Sequence, residues 1–167
     1  MTVLRAPRPG EAAALSALIL RSKAHWGYDA AFIAACAEEL RVTEAMLDPA
    51  TLRVAERDGA LAGVAVIAGE GQAPGEAGVA TLALLFVDPG LIGTGAGVGR
   101  ALVDWAKDAA RAAGAHRLTL DADPGAEGFY ARLGAARVGA SPSGSIPGRV
   151  LPRMEFRLAP APVTSCP

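Results

Sequence analysis

The stretch from Val79 to Leu102 constrains this chain most: a nearly all-apolar run (VATLALLFV), a proline stop, a row of glycines, then an amphipathic helical pattern. A run this apolar is expected of a central strand buried on both faces. Glycines at 93, 95, 97 and 99 have no Cβ, so their backbone N–H groups can turn toward one concavity, and the helix that follows adds positive potential at its first turn. Strand, glycine turn and helix together make a site for phosphate or pyrophosphate in an α/β fold.

Two familiar phosphate loops fail against this stretch. A P-loop needs Lys and then Ser or Thr after its last glycine, whereas Gly99 is followed by Arg100 and Ala101. A dinucleotide fingerprint needs glycines at i, i+2 and i+5. Counting from Gly93, Gly95 or Gly97, the third position holds Val98, Arg100 or Leu102.

The remaining pattern is that of one domain. The 167 residues suit a domain over 1–158 and a Pro- and Ala-rich tail over 159–167. Thr2 to Ala6 reads as a first strand, and Glu11 to Lys23 as a helix with Leu15, Leu18 and Ile19 on one face. Asp29 reads as the N-cap of a second helix through Phe32, Ile33, Cys36 and Leu40. Leu52–Glu56 and Leu61–Ala68 flank Asp58-Gly59, a strong hairpin signal. A glycine-rich turn spans Gly69 to Gly78. Beyond it, Val98, Leu102, Trp105, Ala106 and Ala109 share a helical face, and Gly114 stops that helix. Leu118–Ala122 reads as a strand, Pro124–Leu133 as a helix, and Ala135–Ala140 and Pro152–Leu158 as final strands around the loop Ser141–Val150.

Composition removes several classes. The chain is 51% hydrophobic with a formal net charge of -1, so no concentrated basic face invites nucleic acid or an anionic membrane. The apolar run Ala12–Leu20 lacks the length of a span and a signal-peptide cleavage site. Two cysteines, Cys36 and Cys166, give neither a disulfide framework nor metal spacing, which suits a cytoplasmic protein.

The glycine turn resembles the signature of the GNAT superfamily of acyl-CoA N-acyltransferases: V-x-P, a spacer, then G-x-G-[IV]-G-x-x-L. Val87, Pro89, Gly95, Gly97, Val98, Gly99 and Leu102 fit in order, with about two extra residues in the spacer. Aligning Gly93-Thr94-Gly95 instead moves the extra pair to Ala96-Gly97; both registers stay open. Downstream, Asp123, Ala126, Tyr130 and Gly134 stand where the family often has Asn-x-x-Ala-x-x-x-Tyr and a later Gly, with Asp123 in place of the Asn.

The resemblance implies an α/β (α+β) fold whose mixed, mostly antiparallel central sheet has about six to seven strands flanked by about four helices. It implies acetyl-CoA as co-substrate and direct attack on its thioester by a primary amine, expected to belong to a small molecule. Gly93, Thr94, Gly95, Ala96, Gly97, Val98, Gly99 and Arg100 would hold the pyrophosphate. Backbone N–H groups at Leu85, Phe86 or Val87 would hold the oxyanion, and Tyr130, a phenol protonated at neutral pH, would be the general acid. The acceptor would lie near His25, Trp26 and Tyr28, with Arg149 able to pair with a substrate carboxylate. The strand holds no Glu for a base, Thr81 being its only polar residue. Glu70, Glu76, His25 or a water relay stay open. A homodimer would be in keeping with the superfamily. The competing readings are a non-catalytic acyl-CoA sensor and a nucleotide-binding α/β protein.

Overall fold

Asp58 and Gly59 both adopt positive φ, 52° and 78°, and Arg57 faces Ala60 across this two-residue turn. Positive φ at both central positions gives a turn whose twist matches that of the strands it joins. It thus links β2 (Leu52–Arg57) to β3 (Ala60–Ala68). The structure, a computed structural model, describes residues 1–68 and 77–160. The glutamates Glu70 and Glu76, Cys166 and most of the expected tail lie outside the described residues.

The remaining strands are β1 (Thr2–Arg5), β4 (Val79–Val87), β5 (Arg117–Asp121), β6 (Ala136–Pro142) and β7 (Val150–Arg157). The helices are α1 (Ala12–Ala24), α2 (Ala30–Cys36), α3 (Val98–Ala112) and α4 (Glu127–Arg132). The seven strands form one sheet in the order β1-β2-β3-β4-β5-β7-β6, antiparallel throughout except for the parallel pair β4–β5.

Two apolar layers sandwich the sheet. On one side, Leu15, Leu18 and Ile19 of α1 pack with Val54, Val64 and Leu84. On the other, Val98, Leu102, Val103 and Ala106 of α3 pack with Ala65, Leu118, Tyr130 and Phe156. The seam of α3 is shifted from the expected one: Val103 and Ala110 are buried, while Trp105 and Ala109 stay at its margin. Among the described residues no helix is long and apolar enough to cross a membrane.

Three expectations change in detail. The second helix ends at Cys36 rather than Leu40, because its last turn tightens (Ala37 N–H bonds Ala34 C=O) and loosens into turns. The helix expected over Pro124–Leu133 begins as a 3₁₀ turn at Pro124–Ala126, where Asp123 Oδ1 accepts the Gly125 N–H, and becomes α-helical only from Glu127. The central strand β4 is buried only in part: Ala83 is exposed and Leu85 to Val87 are half-buried.

Candidate active site

The partial exposure of β4 originates in its pairing. β4 and β5 run side by side only over Val79–Thr81 and Arg117–Thr119, then part. Thr81 Oγ1 and Thr119 Oγ1 lie 3.5 Å apart at the apex of the split. Ala83 is skipped in the register with β3, where Val66 faces Leu84 and Ile67 faces Leu82, so a bulge bends β4 at the mouth of the gap. In an antiparallel pair only alternate residues bond the neighbouring strand. From Leu82 to Val87 the others therefore present N–H and C=O toward the gap.

A cavity of about 670 Å³ fills that gap, with walls from β4, the glycine turn, α3, α4, the end of α1 and the loop between β6 and β7. Because the two strands part, it draws walls from both layers.

On the α3 side the turn is organised by short side chains. Asp88 accepts the Gly90 N–H at 2.9 Å, and the Thr94 hydroxyl donates to Leu91 C=O at 2.9 Å. Gly93, Gly95 and Gly97 have φ of 73°, 77° and 73°, a region that favours glycine. The amides of Thr94 and Ala96 are engaged within the turn, by Leu91 C=O and Thr94 Oγ1. Those of Gly93, Gly95 and Gly97 have no partner among the described residues, and the first turn of α3 opens beside them. Gly99 faces α4: a Cβ there would sit 2.9 Å from Phe129 Cζ. Arg100 of α3 and Arg132 of α4 also line the cavity.

Tyr130 lies in this wall, buried, its ring edge-on to Phe129 at 5.1 Å. Its hydroxyl has no hydrogen-bond partner among the described residues. Burial, and then the nearby Asp123 carboxylate, push its pKa well above the usual phenol value, so it keeps its proton at neutral pH.

The α1 side is polar. Asp123 Oδ2 accepts from Lys23 Nζ at 2.7 Å and from the Tyr28 hydroxyl at 2.9 Å, and Arg149 Nη2 stands 3.5 Å away. The same Nη2 donates to the Tyr28 hydroxyl at 2.6 Å. Tyr28 stacks on Phe32, with ring centres 4.0 Å apart, and Asp29 caps α2 by accepting the Phe32 N–H at 2.8 Å. Burial would raise the Asp123 pKa, but the Lys23 hydrogen bond, the Gly125 N–H and the Tyr28 hydroxyl together hold it below the usual carboxylate value. At the rim Ser145 donates to Glu39, tying the β6–β7 loop to the chain after α2.

Of the residues singled out by sequence, Leu85, Phe86, Val87, Gly93, Gly95 and the segment Ala96–Arg100 line the cavity, as do Tyr130, Trp26 and Arg149. Thr94 supports the turn from behind. Tyr28 reaches the cavity through Asp123 and Arg149. His25 is exposed and contacts Trp26 edge-on instead of lining the wall. Lys23, Glu39, Phe129 and Arg132 escaped sequence reading. For Lys23 a signal existed: it stands eight residues after Leu15 and four after Ile19, on the buried stripe of α1.

Comparisons with known proteins concern the family and the fold. The Acetyltransferase (GNAT) family matches residues 20–135, and the chain belongs to that family. It is similar to the solved GCN5-related N-acetyltransferase from Rhodopseudomonas palustris, also described as a class-II aminotransferase, at 25% identity and a TM-score of 0.72, covering 95% of this chain and 96% of that one. The fold also resembles PaiA N-acetyltransferase from Thermoplasma acidophilum in complex with coenzyme A, at 17% identity, TM-score 0.70 and coverage of 94% and 99%. Similar again is yncA from Salmonella typhimurium, a proposed acetyltransferase solved with its cofactor acetyl-CoA, at 21% identity, TM-score 0.64 and coverage of 99% of both chains. A search of curated proteins finds no match.

Proposed function

We propose that this protein is an N-acetyltransferase that moves the acetyl group of acetyl-CoA to a primary amine of a small molecule. The observation that carries the reading is the split between β4 and β5. It opens an unpaired strand edge into a cavity that also holds free turn amides and a protonated tyrosine.

The residues fit the co-substrate. The open amides of Gly93, Gly95 and Gly97, the first turn of α3 and the cations Arg100 and Arg132 suit a diphosphate. The free edge of β4 suits the amide-bearing arm of coenzyme A, which can bond to it as a neighbouring strand would. Bound this way, acetyl-CoA comes in from the α3 side and the amine from the α1 side, and they meet in the gap.

The amine nitrogen attacks the thioester carbon, a β4 N–H around Leu85–Val87 steadies the oxygen, and the carbon–sulfur bond breaks. Tyr130 donates its proton to the departing thiolate, and the proton lost by the amine passes to water. No carboxylate stands on β4: Thr81 is its one polar residue. That feature favours the second reading, an acyl-CoA sensor without turnover. Cys36, a free buried cysteine, accords with a reducing cytoplasm.

Calorimetry with acetyl-CoA and a thiol-release assay over an amine panel test the proposal. Binding with acetyl-dependent thiol release supports the enzyme, and binding without release from any amine supports the sensor. Binding of ATP or NAD in preference to acetyl-CoA would refute both.

A further inference from the structure

Lys23 and Arg149 approach the same atom, Asp123 Oδ2, and all three side chains are largely buried, at 10%, 17% and 12% exposure. Among the described residues, two cations thus share one carboxylate. Tyr28 cannot supply the missing negative charge, because burial and then Asp123 push its pKa up to about 12. The aromatic faces beneath the cations soften the imbalance without removing it: Lys23 Nζ lies 5.0 Å from the Tyr28 ring centre and Arg149 Cζ 4.9 Å from that of Phe32. The two other carboxylates of the wall among the described residues are exposed and engaged at the rim, Glu39 with Ser145 and Asp121 with Arg153 at 3.6 Å. Arg149 also has donors to spare. Only its Nη2 meets acceptors among the described residues, leaving Nε and Nη1 in a side chain that lines the cavity. A buried cluster with an excess cation and free guanidinium donors is a receptor for an anion.

We propose that the acceptor amine carries a carboxylate, as an amino acid does, and that Arg149, backed by Lys23, holds it. The inference rests on the acetyltransferase reading and narrows its substrate. It also sets Arg149 apart from Arg100 and Arg132, which belong to α3 and α4, the helices packed on the other layer of the sheet from α1.

The test uses the whole protein saturated with CoA, titrated calorimetrically with the N-acetyl derivatives of the common amino acids and with the carboxamide of each. At least one acid should bind about tenfold or more tightly than its carboxamide. Arg149→Gln should erase that preference and Arg149→Lys restore part of it, with CoA affinity unchanged in both. The inference is overturned if no acid binds, if acids and carboxamides bind alike, or if Arg149→Gln weakens CoA rather than the acid. The wild-type comparison decides the matter even if a variant fails to fold. Turnover of neutral amines with a kcat/KM equal to that of amino acids would sink the carboxylate inference alone, whereas failure of acetyl-CoA to bind would sink both.

Discussion

Tyr130 and Asp123 have opposite relations to their protons. Tyr130 is buried with no partner for its hydroxyl among the described residues, so Tyr130→Phe removes the proposed acid and little packing. We expect kcat to fall about 100-fold with an almost unchanged melting temperature, measured by thiol release and calorimetric melting. Its raised pKa also predicts that kcat shows no descending limb from this group until the pH exceeds 10.0. Asp123 is held below its ordinary value of 3.8. A depressed native pKa contributes stability that is present above the unfolded value and is lost as pH falls through the native one. Asp123→Asn should therefore cost about 2 kcal/mol at neutral pH. The gap to wild type should close in melts taken progressively below the ordinary carboxylate value. If the gap is unchanged in acid, the charge of Asp123 is not what holds Lys23 and Arg149.

At the scale of elements, the glycines before and within α3 do different jobs. Gly97 is needed for its φ of 73°, since a Cβ there would meet nothing within 4 Å. Gly97→Ala should cost about 1–2 kcal/mol of backbone strain in a denaturant melt. Gly99 is needed for close approach: its added Cβ would press Phe129, which also lines the cavity. Gly99→Ala should weaken acetyl-CoA by about tenfold, as expected from overpacking of this size. Equal effects of the two changes in calorimetry would contradict this division of labour. The alternation of glycines was legible as a tight turn ahead of a helix, but not which glycine served conformation and which served packing, because that depends on where α4 lies.

Across the whole molecule, the proposed insertion of acetyl-CoA at the split in the sheet would link ligand binding to stability. A ligand that supplies a partner for β4 should protect the amides of Leu82–Val87 from hydrogen exchange and leave those of β2 unchanged. Acetyl-CoA at about 100 times its Kd should stabilise the fold by about 2.7 kcal/mol, a rise of roughly 5–10 °C in melting temperature for a domain of this size. Uniform protection across the sheet would argue against insertion at the β4 edge.

Local chemistry in the chain determined much of this. The apolar run Val79–Val87, the Asp58-Gly59 turn, the Asp29 cap and the glycines ahead of Val98 are readable because each acts through its own backbone or near neighbours. The motif spacing carried the family as well. Only the tertiary structure decided that β4 and β5 separate beyond Thr81. It alone brought Lys23, Tyr28, Asp123 and Arg149, far apart in sequence, onto one another. Strand divergence and charge balance are properties of packed elements, set by long-range contacts that no local pattern of side chains encodes.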